Sequence, residues 1–256
     1  IELYDAKKDE ILWSDRWQES WENLPAIQNN LYKELTKILN RYVEEKSISK
    51  AFNPEAYKIY LEAFYLFQNR KSKTDIDKVI ELNNDRLLGK AWDDRIGCAM
   101  LIDLAKRVDD ITLPYNINFV FTTQEEIGLR GAMTTAYITN SDICINLEVG
   151  VAGDFPYMTK DEAQEELGLG PSIFLHDSSM LPDKNLQNYI ERIASDNGIN
   201  LQYEVLAGYG EDGAMYQKSR KGIPAINLGI PTRYLHSHNS VIDLNDYSNG
   251  VNLVNH

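Results

Sequence analysis

Apolar residues recur every three or four positions through much of the first third of the chain. They do so across residues 24–46, and a second helical pattern follows Asn53-Pro54-Glu55, where Asn is a typical cap and Pro a typical first residue. A third apolar stretch, residues 74–82, begins with a threonine cap. The pattern predicts a mostly helical segment over residues 1–84 that contains two antiparallel helices.

From residue 85 onward, short apolar runs alternate with amphipathic stretches. The runs predict strands at 115–122, 142–149, 171–175, 201–206 and 224–229, and the amphipathic stretches predict helices at 95–107, 128–137, 184–197 and 212–220. Strands that alternate with helices are typical of an α/β sheet covered on both faces. Polar groups that follow the carboxyl ends of such strands are the first place to look for a site.

Charge and composition narrow the classes of partner. The 256 residues carry a formal net charge of −13, whereas phosphate-binding surfaces need clustered Lys and Arg, so we expect neither nucleic acid nor an anionic membrane as partner. No apolar run approaches the ~18 residues of a membrane helix, and the first residues do not form a signal peptide. The two cysteines, Cys98 and Cys144, lie in apolar stretches and form no disulfide framework, which favours the cytoplasm.

Carboxylates and one histidine stand at the ends of segments in the α/β region. Asp93 precedes a helix, Glu125 and Glu126 follow the most apolar strand, Glu148 ends the next strand, and His236 follows the last one. Taken singly, an acidic pair is usually a helix cap or a solvated turn, but side chains at successive strand ends can converge. Carboxylates and imidazole bind zinc, cobalt or manganese, so the set favours metal-assisted hydrolysis. A glycosidase is less consistent with adjacent glutamates, because neighbours in extended backbone point in opposite directions.

Six strings in this region carry a resemblance to a known family. They are K-A-W-D-D-R-I-G, F-T-T-Q-E-E-I-G-L-R-G-A, I-N-L-E-V-G-V-A-G-D, G-P-S-I, G-E-D-G-A and G-I-P-T-R-Y-L-H-S, in that order. In sequence and spacing they resemble the co-catalytic metallopeptidases of the glutamyl and tetrahedral (TET) aminopeptidase family, some of which carry an endoglucanase label. The resemblance implies a three-layer, phosphorylase/hydrolase-like α/β/α sheet over residues 85–256. We expect that catalytic domain to be incomplete at both ends.

The same resemblance implies roles for individual residues. Peptides would be the substrates, and Glu125 would be the general base that takes a proton from a metal-activated water. Two divalent ions, zinc or cobalt, would be held by Asp93 as the bridging carboxylate, by Glu126 and His236 at the first ion, and by Glu148 at the second. Residues beside these would orient the bridge or shape the pocket for the peptide's amine: Asp94, Glu211 and Asp212. The last two are equally consistent with a helix cap.

Parts of the family pattern are absent from this sequence. The family takes a further metal ligand from a histidine early in its catalytic domain, but no histidine precedes His176 here. A small β-rich dimerisation domain also precedes the first string in the family, whereas residues 1–84 resemble the end of a TolB-like domain followed by a tetratricopeptide-like hairpin. This combination indicates a fusion or a fragment. Because the dimerisation domain is absent, the sequence leaves the oligomeric state open. We expect one tightly bound ion and weak or no aminopeptidase activity.

More than one function stays open at this point. The leading hypothesis is a metal-dependent aminopeptidase. The alternative is a non-catalytic helical interaction protein that carries a degenerate peptidase domain, which the missing histidine favours and the retained Glu125 disfavours. A glycan hydrolase rests only on the label that some relatives carry.

Overall fold

The structure is a computed structural model that describes residues 2–5, 10–14, 80–83, 85–109 and 111–256. The chain divides into two compact units, residues 1–69 and 70–256. The strands are β1 (Glu2–Asp5), β2 (Glu10–Ser14), β3 (Ile80–Asn83), β4 (Arg86–Gly89), β5 (Cys144–Val151), β6 (Ser172–Asp177), β7 (Gln202–Leu206), β8 (Ala225–Thr232) and β9 (Ser240–Asp243). The helices are α1 (Trp92–Val108), α2 (Arg130–Thr139), α3 (Lys184–Asp196), α4 (Gly213–Gln217) and α5 (Leu244–Asn255).

The first unit is described only at its beginning. There β1 and β2 pair as antiparallel strands, with Leu3 opposite Trp13. The helices predicted at 24–46 and after residue 53 lie outside the described residues. The mostly helical character of residues 1–84 therefore stays a prediction for that part of the chain.

The second unit begins with a three-stranded antiparallel sheet, which shows that the helix predicted over residues 74–82 is wrong for residues 80–82. Its order is β3-β4-β9. Residues 80–82 lie in β3 and not in the helix predicted over residues 74–82, whose earlier part lies outside the described residues. The physical reason is pairing: β3 pairs with β4, which pairs with the distant β9, and such pairing overrides helical spacing in a short segment. The second unit consequently begins before the residue 85 that the sequence predicts.

A four-stranded mixed sheet forms the centre of the second unit, in the order β5-β8-β6-β7. β5 runs parallel to β8 along its whole length, and β6 runs parallel to β7 but antiparallel to β8. Every residue of β8 is buried, as expected for an inner strand with helices on both faces. The strands predicted near 142–149, 171–175, 201–206 and 224–229 all form.

Helices α1 to α4 form near their predicted positions, and α5 ends the chain. Asp183 caps helix α3: its carboxylate accepts a hydrogen bond from Leu186 N at 2.9 Å. Apolar residues from the sheet, α1, α3 and α5 share one buried core that includes Met100, Ile173, Ile190, Ile226 and Val251. The architecture is therefore the mixed α/β class that the sequence predicts. Within the described residues, no helix combines the length and the apolar character needed to cross a membrane.

The strand predicted at residues 115–122 does not form. These residues have no strand assignment, and none of the described strands pairs with them. Phe119 packs against the central core, but Tyr115 and Phe121 are 63% and 50% exposed. An apolar run becomes a strand only where a neighbouring strand accepts its backbone hydrogen bonds, and the described part of the chain provides none at this position.

Candidate metal centre

Asp93 and Asp94 lie at the start of α1, directly after β4. Neither residue has helical torsion angles, and the peptide bond between them is cis. Asp94 Oδ1 accepts a hydrogen bond from Gly97 N at 2.9 Å, so this side chain turns back onto its own helix. Its neighbour Asp93 is left to face the cleft, which it lines.

Glu125 and Glu126 lie in a tight turn before α2. The carbonyl oxygen of Glu125 accepts hydrogen bonds from Gly128 N and Leu129 N, both at 2.9 Å. Gly128 has a φ of 116°, a conformation that glycine adopts without steric cost. The pair does stand in a turn, but Glu125 is partly buried whereas Glu126 is exposed. The fixed turn therefore gives the two carboxylates different surroundings.

The remaining acidic and histidine positions come from the edge of the mixed sheet. Glu148 is in β5, and the parallel strand β8 ends at Thr232, shortly before His236. Because parallel strands end at the same edge of a sheet, the residues after them meet there. Glu211 reaches the same place from the loop before α4.

A first set of side chains is formed by Asp93, Glu126 and His236. The His236 Nε2 atom lies 3.1 Å from Asp93 Oδ2 and 3.5 Å from Glu126 Oε2. One donor atom from each of the three lies within 4.8 Å of the others, a spacing at which all three can hold one metal ion. These are the residues that the resemblance assigns to the first ion.

A second set is formed by Glu125, Glu148 and Glu211, whose nearest carboxylate oxygens also lie within 4.8 Å of one another. Its neighbours Asp94 and Asp212 belong to neither set. The sequence did not predict that Glu211 joins this set, although the G-E-D-G-A string had already drawn attention to it. The two sets line a common cleft of about 460 Å³.

Burial and mutual repulsion raise the pKa values of several carboxylates in the cleft. Burial, with the negative charge of Glu126, raises the pKa of Asp93 to about 6. Burial, with the charges of Asp212 and Glu126, raises the pKa of Glu125 to about 7. The pKa of Glu148 lies well above its usual range because the side chain is buried next to Asp94. A bound divalent cation would remove this repulsion and hold the carboxylates in their ionised form.

A buried aspartate supports the loops around the cleft and was not singled out in the sequence. Asp177 Oδ1 accepts hydrogen bonds from Ser179 N at 2.6 Å and Met180 N at 2.8 Å, and Asn227 Nδ2 donates to Asp177 Oδ2 at 3.0 Å. This turn also holds the loop that carries Tyr209, because Ser178 N donates a hydrogen bond to the carbonyl oxygen of Tyr209 at 2.7 Å. Nothing local in the sequence distinguishes such a buried aspartate from a surface one.

Tyr209 lies against the histidine of the first set. Its ring is stacked on that of His236, with centroids 6.1 Å apart and an angle of 27° between the planes. The imidazole itself is about half exposed. The donor types of the first set, two carboxylates and one imidazole, fit zinc, cobalt or manganese.

The chain is similar to known peptidases over this part of its length. A family model described as M42 glutamyl aminopeptidase matches residues 75–253. The FrvX protein of Escherichia coli (strain K12) is 37% identical over 172 residues, which are 66% of this chain and 47% of FrvX. The lysyl aminopeptidase of Pyrococcus furiosus is 30% identical over 177 residues, which are 67% of this chain and 48% of that protein.

Solved structures show the same similarity. The crystal structure of a TET aminopeptidase from a marine sediment archaeon, Thaumarchaeota archaeon, matches with a TM-score of 0.66 and 38% sequence identity. The match covers 70% of this chain and 50% of the archaeal one. The chain therefore spans about half the length of the relatives that it matches.

Proposed function

Because the chain belongs to the M42 glutamyl aminopeptidase family, we propose that it is a metal-dependent aminopeptidase that removes residues from the N-termini of peptides. The observation that carries this proposal is the convergence of Asp93, Glu126 and His236 next to Glu125. A metal-binding set of carboxylates and imidazole beside a partly buried glutamate is the arrangement that metal-assisted hydrolysis needs.

Asp93, Glu126 and His236 would hold a divalent ion such as zinc or cobalt. When bound, such an ion supplies a Lewis acid that polarises the scissile carbonyl and activates a water molecule for attack. The charges of two carboxylates fit a divalent cation, and the imidazole favours zinc or cobalt over magnesium. The stacked Tyr209 would keep His236 in an orientation suited to binding.

Glu125 would accept the proton of the attacking water and pass it to the leaving amine. Glu125 is partly buried and lines the cleft beside the first set, which is the position that a general base needs. The turn before α2 would keep this side chain beside the first set and outside it. Glu125 and Glu126 thus have separate roles despite being adjacent.

The acidic cleft would select peptides with a free amine at their N-terminus. Asp93, Glu148 and Glu211 line it, and a protonated amine is attracted by that negative potential. The cleft favours catalysis over the alternative of a non-catalytic interaction protein, because an interaction module has no need of a buried acidic centre. The two free cysteines remain consistent with a reducing compartment, and the cytoplasm is part of this proposal.

The test measures release of N-terminal residues by the purified chain after loading with zinc or cobalt. Peptides with free and with acetylated N-termini are compared by mass spectrometry, and we expect slow removal of single residues from the free peptides only. Glu125→Gln should lower the rate by about 100-fold or more without changing zinc content. Glu162→Gln, at an exposed glutamate away from the cleft, is the matched control. Equal rates for wild type and Glu125→Gln, or equal cleavage of both peptides, would contradict the proposal.

A further inference from the structure

His236 lies in an exposed loop between β8 and β9, and this loop has an unusual backbone conformation. Both Tyr234 and His236 have positive φ angles, 61° and 55°. Such angles are uncommon in residues other than glycine and are energetically unfavourable, so they persist only where surrounding contacts fix them. The contacts at the base of the loop must therefore determine where the imidazole of His236 lies.

Arg233 forms the base of this loop, through its backbone and its side chain. Arg233 N donates a hydrogen bond to the carbonyl oxygen of Val241 at 2.9 Å, and Val241 N donates to the carbonyl oxygen of Arg233 at 3.1 Å. The guanidinium of Arg233 reaches the segment that follows β5, where Nε donates to Asp154 Oδ1 at 2.6 Å and Nη2 donates to Asp154 Oδ2. Because the pairing has two points of contact, it fixes the orientation of both side chains as well as their distance.

Asp154 is itself held firmly in place. Its Oδ2 atom also accepts a hydrogen bond from Leu167 N at 3.2 Å, and Ala152 N donates to the carbonyl oxygen of Thr232 at 3.1 Å beside it. The side chains of Arg233 and Asp154 are 22% and 14% exposed, so water screens their attraction only weakly. Although burial acts in the opposite direction, the hydrogen bonds and the charge of Arg233 hold the pKa of Asp154 below its usual range. The pair therefore stays ionised and intact at neutral pH.

We propose that Arg233 and Asp154 are positioning residues that hold His236 in the geometry needed to bind the metal ion. This inference rests on the proposed function, in which Asp93, Glu126 and His236 hold that ion. The pair joins the segment after β5 to the loop after β8, and neither of its side chains lines the cleft. Without the pair, the loop would relax from its unfavourable backbone angles, and His236 would move away from the two carboxylates. The effect of the pair on the metal ion is thus exerted through His236.

The test measures zinc affinity by competition with a chromophoric chelator, and the visible absorption of the Co²⁺-loaded chain, which reports the ligand geometry at the ion. Arg233→Met should weaken zinc binding by about tenfold or more and alter the cobalt spectrum, as expected for loss of a group that orients a ligand. Arg233→Lys keeps the charge but not the two-point pairing, so its affinity should lie between those of wild type and Arg233→Met.

A double-mutant cycle shows whether the two residues act as one unit. Asp154→Asn should weaken zinc binding as Arg233→Met does, and the double variant should lose no more than either single variant. Tyr247→Phe is the matched control for a general loss of stability. The Tyr247 hydroxyl donates a hydrogen bond to Asp103 Oδ2 at 2.6 Å between α5 and α1, and neither residue lines the cleft. This variant should retain the zinc affinity and the cobalt spectrum of wild type.

The outcomes separate this inference from the proposed function. A folded Arg233→Met variant with the zinc affinity and cobalt spectrum of wild type overturns the inference alone. Additive losses in the double variant, or an equal loss in Tyr247→Phe, do the same. Failure of wild type to bind zinc overturns both the inference and the proposed function. Circular dichroism establishes that each variant is folded, and if Arg233→Met does not fold, Arg233→Lys must show both changes in its place.

Discussion

Replacing Glu211 by glutamine should make the metal-free chain less sensitive to alkaline pH. Burial and the charge of Glu125 raise the pKa of Glu211 from 4.5 to about 8 in the folded chain. The folded state therefore favours the protonated acid. Its contribution to stability is fully present below pH 4.5 and is lost as the pH rises through about 8. Glutamine is neutral at every pH and makes no such contribution.

The size of the effect follows from the same shift. Ionisation linkage amounts to about 1.4 kcal/mol per pH unit between the unfolded and folded pKa values. Between about pH 5.5 and about pH 8, wild type should lose roughly 3 kcal/mol relative to Glu211→Gln. The charge of Glu211 also raises the pKa values of Glu148 and Glu204, so the difference between the two proteins reports Glu211 together with these neighbours.

Urea unfolding in the presence of a chelator measures this difference at both pH values and at constant ionic strength. A saturating divalent cation should abolish it, because binding to ionised ligands stabilises the folded state. Two results would refute the reasoning: a difference between the proteins that does not change with pH, or a wild type that gains stability relative to Glu211→Gln as the pH rises.

Three further substitutions test the framework around the cleft. Asp177→Ala removes the acceptor of four hydrogen bonds, three from the turn that follows it and one from β8, and should cost about 2–4 kcal/mol in urea unfolding; a cost below about 1 kcal/mol would show that this turn does not depend on Asp177. Gly150→Ala should cost about 1–3 kcal/mol by the same measurement, because the added Cβ would overlap the buried carboxylate of Glu165; an unchanged stability would contradict this packing. Tyr209→Ala should weaken zinc binding by less than about tenfold in calorimetric titration, through loss of the ring stacked on His236, and unchanged affinity would mean that the ring does not position the imidazole.

The parts of the fold that sequence patterns predicted well are those whose burial is decided locally. Helix α3 has a capping aspartate and an apolar face, and β8 is a mostly apolar segment that is buried throughout, so each has one plausible interpretation. The secondary-structure predictions for residues 80–82 and 115–122 were wrong for a common reason. Whether a short apolar segment becomes a strand depends on a partner elsewhere in the chain: β3 has one in β4, and the described residues provide none for 115–122.

The candidate site shows the same limit. Asp93, Glu126 and His236 could be grouped because each follows or precedes a predicted element and matches a familiar string. The approach of Glu211 to Glu148 could not, since it depends on how the loop before α4 folds over the edge of the sheet. The role of Asp177 was likewise invisible, because its partners become neighbours only in the folded chain.

Zinc content per chain, measured after loading and gel filtration, tests the central claim most directly. The account predicts at least one tightly bound zinc in wild type, and its loss in His236→Ala, which removes the only imidazole of the first set. Glu162→Gln should retain the wild-type content. A wild type that retains no zinc, or a His236→Ala variant that retains as much as wild type, would contradict the assignment of Asp93, Glu126 and His236 as the metal centre.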